Sequence, residues 1–318
     1  MATSTRAALG QISDMDLRLL RVFRTVVDCG GMAAAELELN IGTSTVSRHI
    51  KDLETRLGLT LCRRGRAGFA LTPEGEQIYA QTTQLLSATE AFRTGVDEIH
   101  QRMGGQLHIA VFDKTASNPA CRIAQAIDRF VQQAPDVALN LHVSTLNGIE
   151  RGVLDGQFQL GVIPGHRSSD LLEYTPLFDE AMLLYCGPGH PMFEDHAPAL
   201  DWTSLRQHAF AGLGYHSPNM ELSQRQRIPR RATGFDQESI ATLILSGRFL
   251  GFLPIHYAQG FVQGGKMRAV QPELFHYACD FFAITRRSPQ PSRATRAFLA
   301  CLAQAHLRPQ PPNVGPGA

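Results

Sequence analysis

Between Thr43 and Arg66 the chain carries six cations (Arg48, Lys51, Arg56, Arg63, Arg64 and Arg66) against two acids, Asp52 and Glu54. That local excess of four positive charges sits in a 318-residue chain whose formal net charge is only +1. The same stretch opens with Thr43, Ser44, Thr45 and Ser47. Hydroxyl, guanidinium and ammonium donors at the front of a helix can reach base edges and phosphates in a DNA major groove. Each phosphate contact releases counterions, so a focal patch binds DNA without a basic chain. The plain alternative is a solvated helix face with a hydroxyl cap, and the arginine cluster that follows argues against it.

A second set of polar residues lies at the ends of strand-like runs further on. The loop "FDKTASN" offers Lys114, Thr115, Ser117 and Asn118. Thr145 and Asn147, then Pro164 and His166, follow two more such runs. Tyr215 and His216, then Glu238 and Ser239, occupy equivalent places in a later block. Cations, hydroxyls and helix N-termini converging on one crevice suit a small carboxylate, with aromatic character as a further option. Two readings compete with this: loop hydroxyls commonly cap helices, and Asp113 could neutralise Lys114.

Other chemistry finds no support. There is no Gly-x-Ser-x-Gly elbow, phosphate loop or dinucleotide glycine fingerprint, so no catalytic residue and no cofactor is expected. His190 and His196 flank Glu194 and Asp195 but lack the spacing of a metal site. The six cysteines are scattered, without a Cys-x-x-Cys pair, and read as reduced thiols. The absence of a leader-like or membrane-length apolar run makes the expected location cytoplasmic, with no membrane partner.

The elements that must position these residues can be placed by periodicity. Leu19, Leu20, Phe23, Val26 and Val27 form one helical face, capped by Asp14 or Asp16 and ended by Gly30 and Gly31. "MAAAELEL" is a short second helix. A third spans about Thr43 to Leu57, with Val46, Ile50, Leu53 and Leu57 inward. "LTL" and "FAL" then flank the arginines as a hairpin. Thr72-Pro73-Glu74 starts a long helix, with hydroxyl cap, proline and acid in order. Along it Ile78, Leu85, Phe92 and Ile99 recur every seven residues, with Thr82, Thr89, Val96 and Met103 four further on, as a heptad seam for a partner helix. From Gly105, strand and helix signals alternate, which predicts βαβ units in a parallel sheet arranged as two lobes.

The stretch from "MDLRLLRVF" through "VSRHIKDLETRLGLTL" and the arginines to "LTPEG" resembles the winged helix-turn-helix of LysR-type transcriptional regulators. Thr43 and Ser44 stand where that family often has Gln-Pro, and Cys62 where it often has Phe. "HPMF", "SGRFLGFLP" and "LDGQFQLGVI" extend a looser likeness over the rest. The resemblance implies an α/β protein with an N-terminal winged helix-turn-helix and a two-lobed, periplasmic-binding-protein-like effector domain. It divides the chain into residues 13–72 (DNA binding), 73–104 (dimerising linker helix), 105–310 (effector binding) and a disordered tail, 311–318. Lobe I takes about 105–166 plus 277–310, and lobe II about 167–276. The expected partners are double-stranded operator DNA, a small-molecule effector and a second copy or more of the same chain, as homodimer or homotetramer. RNA polymerase is a further candidate partner. The competing class is a metabolic enzyme or solute binder with an accessory helical domain.

Overall fold

The structure, a computed structural model, describes residues 10–65, 68–100, 103–194 and 201–307. It divides into two compact units, Met1–Gly95 with Asp155–Gln157 and Val96–Leu154 with Phe158–Ala318.

In the first unit, helix α1 (Asp14–Asp28) begins at a reciprocal cap. Ser13 N–H donates to Asp16 Oδ2 at 2.8 Å, and Ser13 Oγ accepts from Asp16 N–H. The cap is therefore Ser13, with Asp16 as the third-position acid that completes the box, rather than either aspartate alone. Helices α2 (Met32–Leu39) and α3 (Thr43–Leu57) follow, and Gly58 ends α3 at φ 66°, a left-handed turn that glycine adopts without cost from a Cβ. Leu19, Val22, Phe23 and Val26 of α1 bury against Ala35 of α2 and Val46, Ile50 and Leu53 of α3 in one core. Leu57, the fourth residue of the α3 stripe, is half-buried.

Strands β1 (Cys62–Gly65) and β2 (Gly68–Leu71) pair antiparallel, from Cys62 opposite Leu71 to Gly65 opposite Gly68. The expected hairpin forms, but β1 begins later than "LTL", so Arg63 and Arg64 lie on the strand itself. Helix α4 (Pro73–Ile99) starts with Thr72 Oγ1 accepting Gly75 N–H at 2.9 Å. A Cβ on Gly75 would meet the Leu61 carbonyl oxygen at 2.1 Å, so this first turn rests directly on the backbone leading into the wing. The Tyr79 ring packs edge-on against Phe23 at 6.5 Å, and its hydroxyl donates to Asp28. These contacts make a winged helix-turn-helix with the root of a long helix fixed to its core.

The second unit is a nine-stranded sheet flanked by helices. Its elements are β3 (Gly105–Val111), α5 (Ile123–Gln133), β4 (Val137–Val143), α6 (Leu146–Leu154), β5 (Leu160–Pro164) and β6 (Leu172–Cys186). Then come β7 (Phe210–Leu213), α7 (Pro218–Arg225), β8 (Arg230–Gly234), α8 (Gln237–Leu245), β9 (Leu250–Pro254) and α9 (Ile255–Gln263). Strands β10 (Arg268–Ala269) and β11 (His276–Arg286) and helix α10 (Arg293–His306) complete it. The sheet order is β4-β3-β5-β11-β6-β9-β7-β8, with β10 on β6.

Strands β3, β4 and β5 run parallel, as do β7, β8 and β9. Between the two parallel groups lie β6 and β11, antiparallel to each other and to their outer neighbours. The sheet is thus mixed, not wholly parallel. Met182–Tyr185 of β6 pair with β9 in one half, while Phe281–Ile284 of β11 pair with β5 in the other. Both strands run through both halves, and the change of half falls within them rather than at residues 167 and 277. A register shift at Phe281/Phe282 marks the passage. Alternation of strand and helix signals identifies crossover units; it does not reveal that a long strand is shared.

Candidate DNA interface and effector cleft

Helix α3 has two faces of opposite character. Val46, Ile50 and Leu53 are fully buried, whereas Thr43, Ser44, Arg48 and Lys51 are exposed and Thr45 and Ser47 half-buried. Arg63 on the wing strand is exposed. Arg66 and the Arg64 side chain lie outside the described residues.

Three residues of this stretch act within the head. Arg56 forms a two-pronged ion pair with the buried Asp16, its Nη2 at 3.0 Å from Oδ2. The guanidinium and the Ser13 hydroxyl hold the Asp16 carboxyl well below the usual carboxylate range. Arg56 therefore ties α3 to α1 and does not count among the free cations of the patch. Glu54 Oε1 accepts from the N–H groups of Leu61 (2.7 Å) and Cys62 (3.2 Å), fixing the start of the wing, so it offsets little of the outward charge. Thr43 Oγ1 donates to Glu36 on α2, and the N-cap of α3 is Gly42, with no side-chain cap. The hydroxyl cap of the plain alternative does not form, and Thr43 serves as a helix–helix tie.

In the second unit a narrow cleft, open to solvent, lies where the two halves of the sheet meet. Phe112 and Pro164 line it from the first half, Leu213, Tyr215, Asn219 and Gln237 from the second, and Glu180, Tyr277 and Cys279 from the shared strands.

Four polar links cross between the halves beside the cleft. Asp113 Oδ2 accepts the Gln237 N–H at 2.9 Å, so the loop after β3 caps α8 from the opposite half. Lys114 Nζ lies 2.5 Å from Glu238 Oε2 and 4.8 Å from the centroid of the Tyr257 ring, whose hydroxyl also donates to Glu238 at 2.8 Å. Ser117 Oγ is 2.9 Å from His256 Nδ1, and His256 Nε2 is 2.8 Å from Glu180 Oε1. The Asn118 amide reaches the Asp179 carbonyl on β6 at 3.4 Å.

The residues expected at the effector site divide accordingly. Pro164 and Tyr215 line the cleft. Lys114, Ser117, Asn118 and Glu238 form the links just described. Thr115 is buried with its hydroxyl on the Phe112 carbonyl. Thr145 accepts from Gly148 N–H at the start of α6, and Asn147 is exposed. His166 faces Glu150 at 3.4 Å, with the His216 ring 5.8 Å away, and Ser239 bonds Asp236. Lys114 pairs with Glu238 and not with Asp113, and it is not a free counter-charge for a carboxylate.

Sequence reasoning missed Glu180, Gln237, Tyr277 and Cys279 as lining residues. Glu180 had a usable signal: an acid at an inward position of the apolar run "LFDEAMLLYC". The others come from distant segments that only the sheet topology brings together. Elsewhere, His190 accepts the Met192 N–H through Nδ1, as a local cap, and burial pushes it down to about 4. The remainder of that histidine-acid stretch, from Asp195, lies outside the described residues. Among the described residues no helix is long and apolar enough to cross a membrane.

A winged helix-turn-helix with an outward basic face, joined in one chain to a two-lobed α/β domain with an interlobe cleft, defines a DNA-binding regulator of the ligand-sensing class. The model of the bacterial regulatory helix-turn-helix protein, lysR family, matches residues 17–76, and that of the LysR substrate binding domain matches residues 100–306. The chain belongs to the LysR family of transcriptional regulators. It is similar to the HTH-type transcriptional activator BauR of Pseudomonas aeruginosa, 43% identical over 305 residues, covering 95% of this chain and 99% of BauR. The crystal structure of CbnR, a LysR family transcriptional regulator, superposes with a TM-score of 0.60 at 18% identity, covering 91% of this chain and 99% of CbnR. Full-length CbnR in complex with its target DNA gives 0.58 at 19% identity over the same shares. These two likenesses establish the fold. The relatives are regulators, and the reading as a metabolic enzyme falls away.

Proposed function

We propose that this regulator reads operator DNA with the front of α3 and the wing. In this reading Ser44, Thr45, Ser47, Arg48 and Lys51 enter the major groove, with Thr43 at its edge. Arg63, Arg64 and Arg66 hold the phosphate backbone. The observation that carries it is the exposure of Arg48 and Lys51 on the side of α3 away from buried Val46, Ile50 and Leu53.

The functional division of the chain is 13–72, 73–104, 105–310 and the tail 311–318, the sensor's two lobes sharing β6 and β11. Of the expected seam, Ile78 packs on the head's own core, Thr82 is buried and Met103 packs on the core of the second unit, so helix α4 joins two copies through its later residues Phe92, Val96 and Ile99. Phe92 and Ile99 are 76% and 81% exposed, more than a single copy gains from leaving such side chains in water. Two such pairs would form a tetramer. A small molecule held between the halves would shift the balance between arrangements of the bound copies, and with it the approach of RNA polymerase. The relative BauR bears the name of an activator, and we extend activation to this chain.

For the effector, the rings of Phe112, Tyr215 and Tyr277 support aromatic character. A carboxylate meets no cation among the described lining residues, and Glu180 among them repels it, so it is a secondary group of the ligand and not its anchor. A gel-shift titration of the full chain on its own upstream DNA tests the reading. A retarded band at low salt, lost as salt rises, is expected. The same weak affinity for that DNA and for a scrambled duplex would overturn operator recognition.

A further inference from the structure

Three hydrogen-bond acceptors at the cleft lack a partner although each is hidden from solvent: Asp113 Oδ1, Gln237 Oε1 and Tyr215 Oη. Gln237 is 4% exposed and Tyr215 7%, and both line the cleft. One such atom is a modest defect in a fold; two on the cleft lining, with a third on the residue that meets Gln237 from the opposite half, form a receptor for a group that donates. The surrounding charge is one-sided. Asp113, Glu180, Asp236 and Glu238 bring four carboxylates, against which the described residues set Lys114, bound to Glu238, His256, bound to Glu180, and the facing rings of His166 and His216, each beside a glutamate of its own. An anion entering here would find no uncommitted cation and several like charges.

Resting on the reading of this cleft as the effector site, we propose that the effector is anchored through a primary or secondary ammonium group, bound to Asp113 from one half and to Gln237 and Tyr215 from the other. Two or three N–H donors on one nitrogen match three acceptors in number and kind. The Phe112 and Tyr215 rings, packed edge to face at 6.3 Å, both line the cleft, and an aromatic face there attracts a cation. Because the acceptors belong to opposite halves, one nitrogen would draw them together. Burial pushes the Asp113 carboxyl up to about 6, as expected of an acid held without a counter-ion of its own.

Thermal unfolding of the full chain in n-propylammonium chloride, sodium propionate, propan-1-ol and N,N,N-trimethylpropylammonium chloride, at matched ionic strength, tests this. The expected result is a concentration-dependent rise of several degrees with n-propylammonium alone, absent in D113N and reduced in Y215F and Q237L. A rise with the trimethyl compound equal to that with n-propylammonium would overturn the hydrogen-bonded anchor. A propionate rise that Y215F removes, with no amine effect, would overturn the ammonium group and leave the cleft as the effector site. No rise with any of the four would overturn both. If D113N does not fold, unaltered amine binding by calorimetry in both Y215F and Q237L overturns the proposal.

Discussion

The head and the sensor use the same residue types in opposite ways. On α3 Ser44, Arg48 and Lys51 point outward, while the apolar stripe and the Arg56 and Thr43 ties hold the helix in place. In the sensor the polar residues of the loop after β3 are engaged, Thr115 with its own backbone and Lys114, Ser117 and Asn118 with groups beyond that loop. A flat, repetitive ligand such as a duplex is met by a convex surface whose donors stay solvated until contact. A small ligand is met by a concavity whose polar groups are already engaged, and recognition then depends on the few that are not.

The comparison can be broken at four points. The largest effect is expected where the exposed surface is apolar: Phe92→Asp should turn the assembled form into a monomer, read as mass by light scattering. An unchanged mass would remove α4 from the interface. Next, Arg48→Ala should weaken specific DNA binding by about 1–3 kcal/mol while leaving the melting temperature unchanged. If the melting temperature falls instead, Arg48 serves the fold as Arg56 does.

The third point is the sensor's buried acid. Asp113 is faced by Asp236 and Glu180, which raise its affinity for a proton, and by Lys114 and the Gln237 N–H, which lower it. Burial dominates and sets the carboxyl at about 6 against an ordinary 3.8. A carboxyl raised in the folded state stabilises the fold most below its unfolded value, so stability should fall as pH rises from about 4 through 6. Asp113→Asn should abolish that slope and raise stability near pH 7.5 by about 2 kcal/mol in the absence of effector. Urea titrations at pH 5 and pH 7.5 measure both. The smallest effect belongs to Lys114→Met, which removes a partly exposed ion pair and should cost about 0.5 kcal/mol, while loosening the closed cleft as seen by hydrogen exchange at the α8 amides. Protection unchanged there would mean that the Asp113 cap alone holds α8.

How far the sequence could be read follows the same divide. Helix α3 and its stripe lie within a short segment, and periodicity placed them almost to the residue, while the wing was found as a hairpin whose first strand begins three residues later than expected. The errors there were local exchanges of role: Ser13 for the aspartates as cap, and Arg56 spent on Asp16. The cleft joins residues more than a hundred positions apart, such as Asp113 with Gln237. Loop position gave Tyr215 and Pro164 but not Glu180 or Tyr277, which sit within strands that alternate like any others. Pairing order is a long-range property, and side-chain alternation carries no trace of which strand lies beside which.

The two shared strands also limit what the sensor can do. Eleven consecutive residues of β11, His276 to Arg286, are matched along β6, and sliding one strand past the other would break that ladder throughout. Flexing about the irregular step at Phe281 and Phe282 leaves most rungs intact. A sheet so built bends at that step more readily than it slides, so β6 and β11 act as a leaf spring that favours turning of the two halves over displacement along the strands.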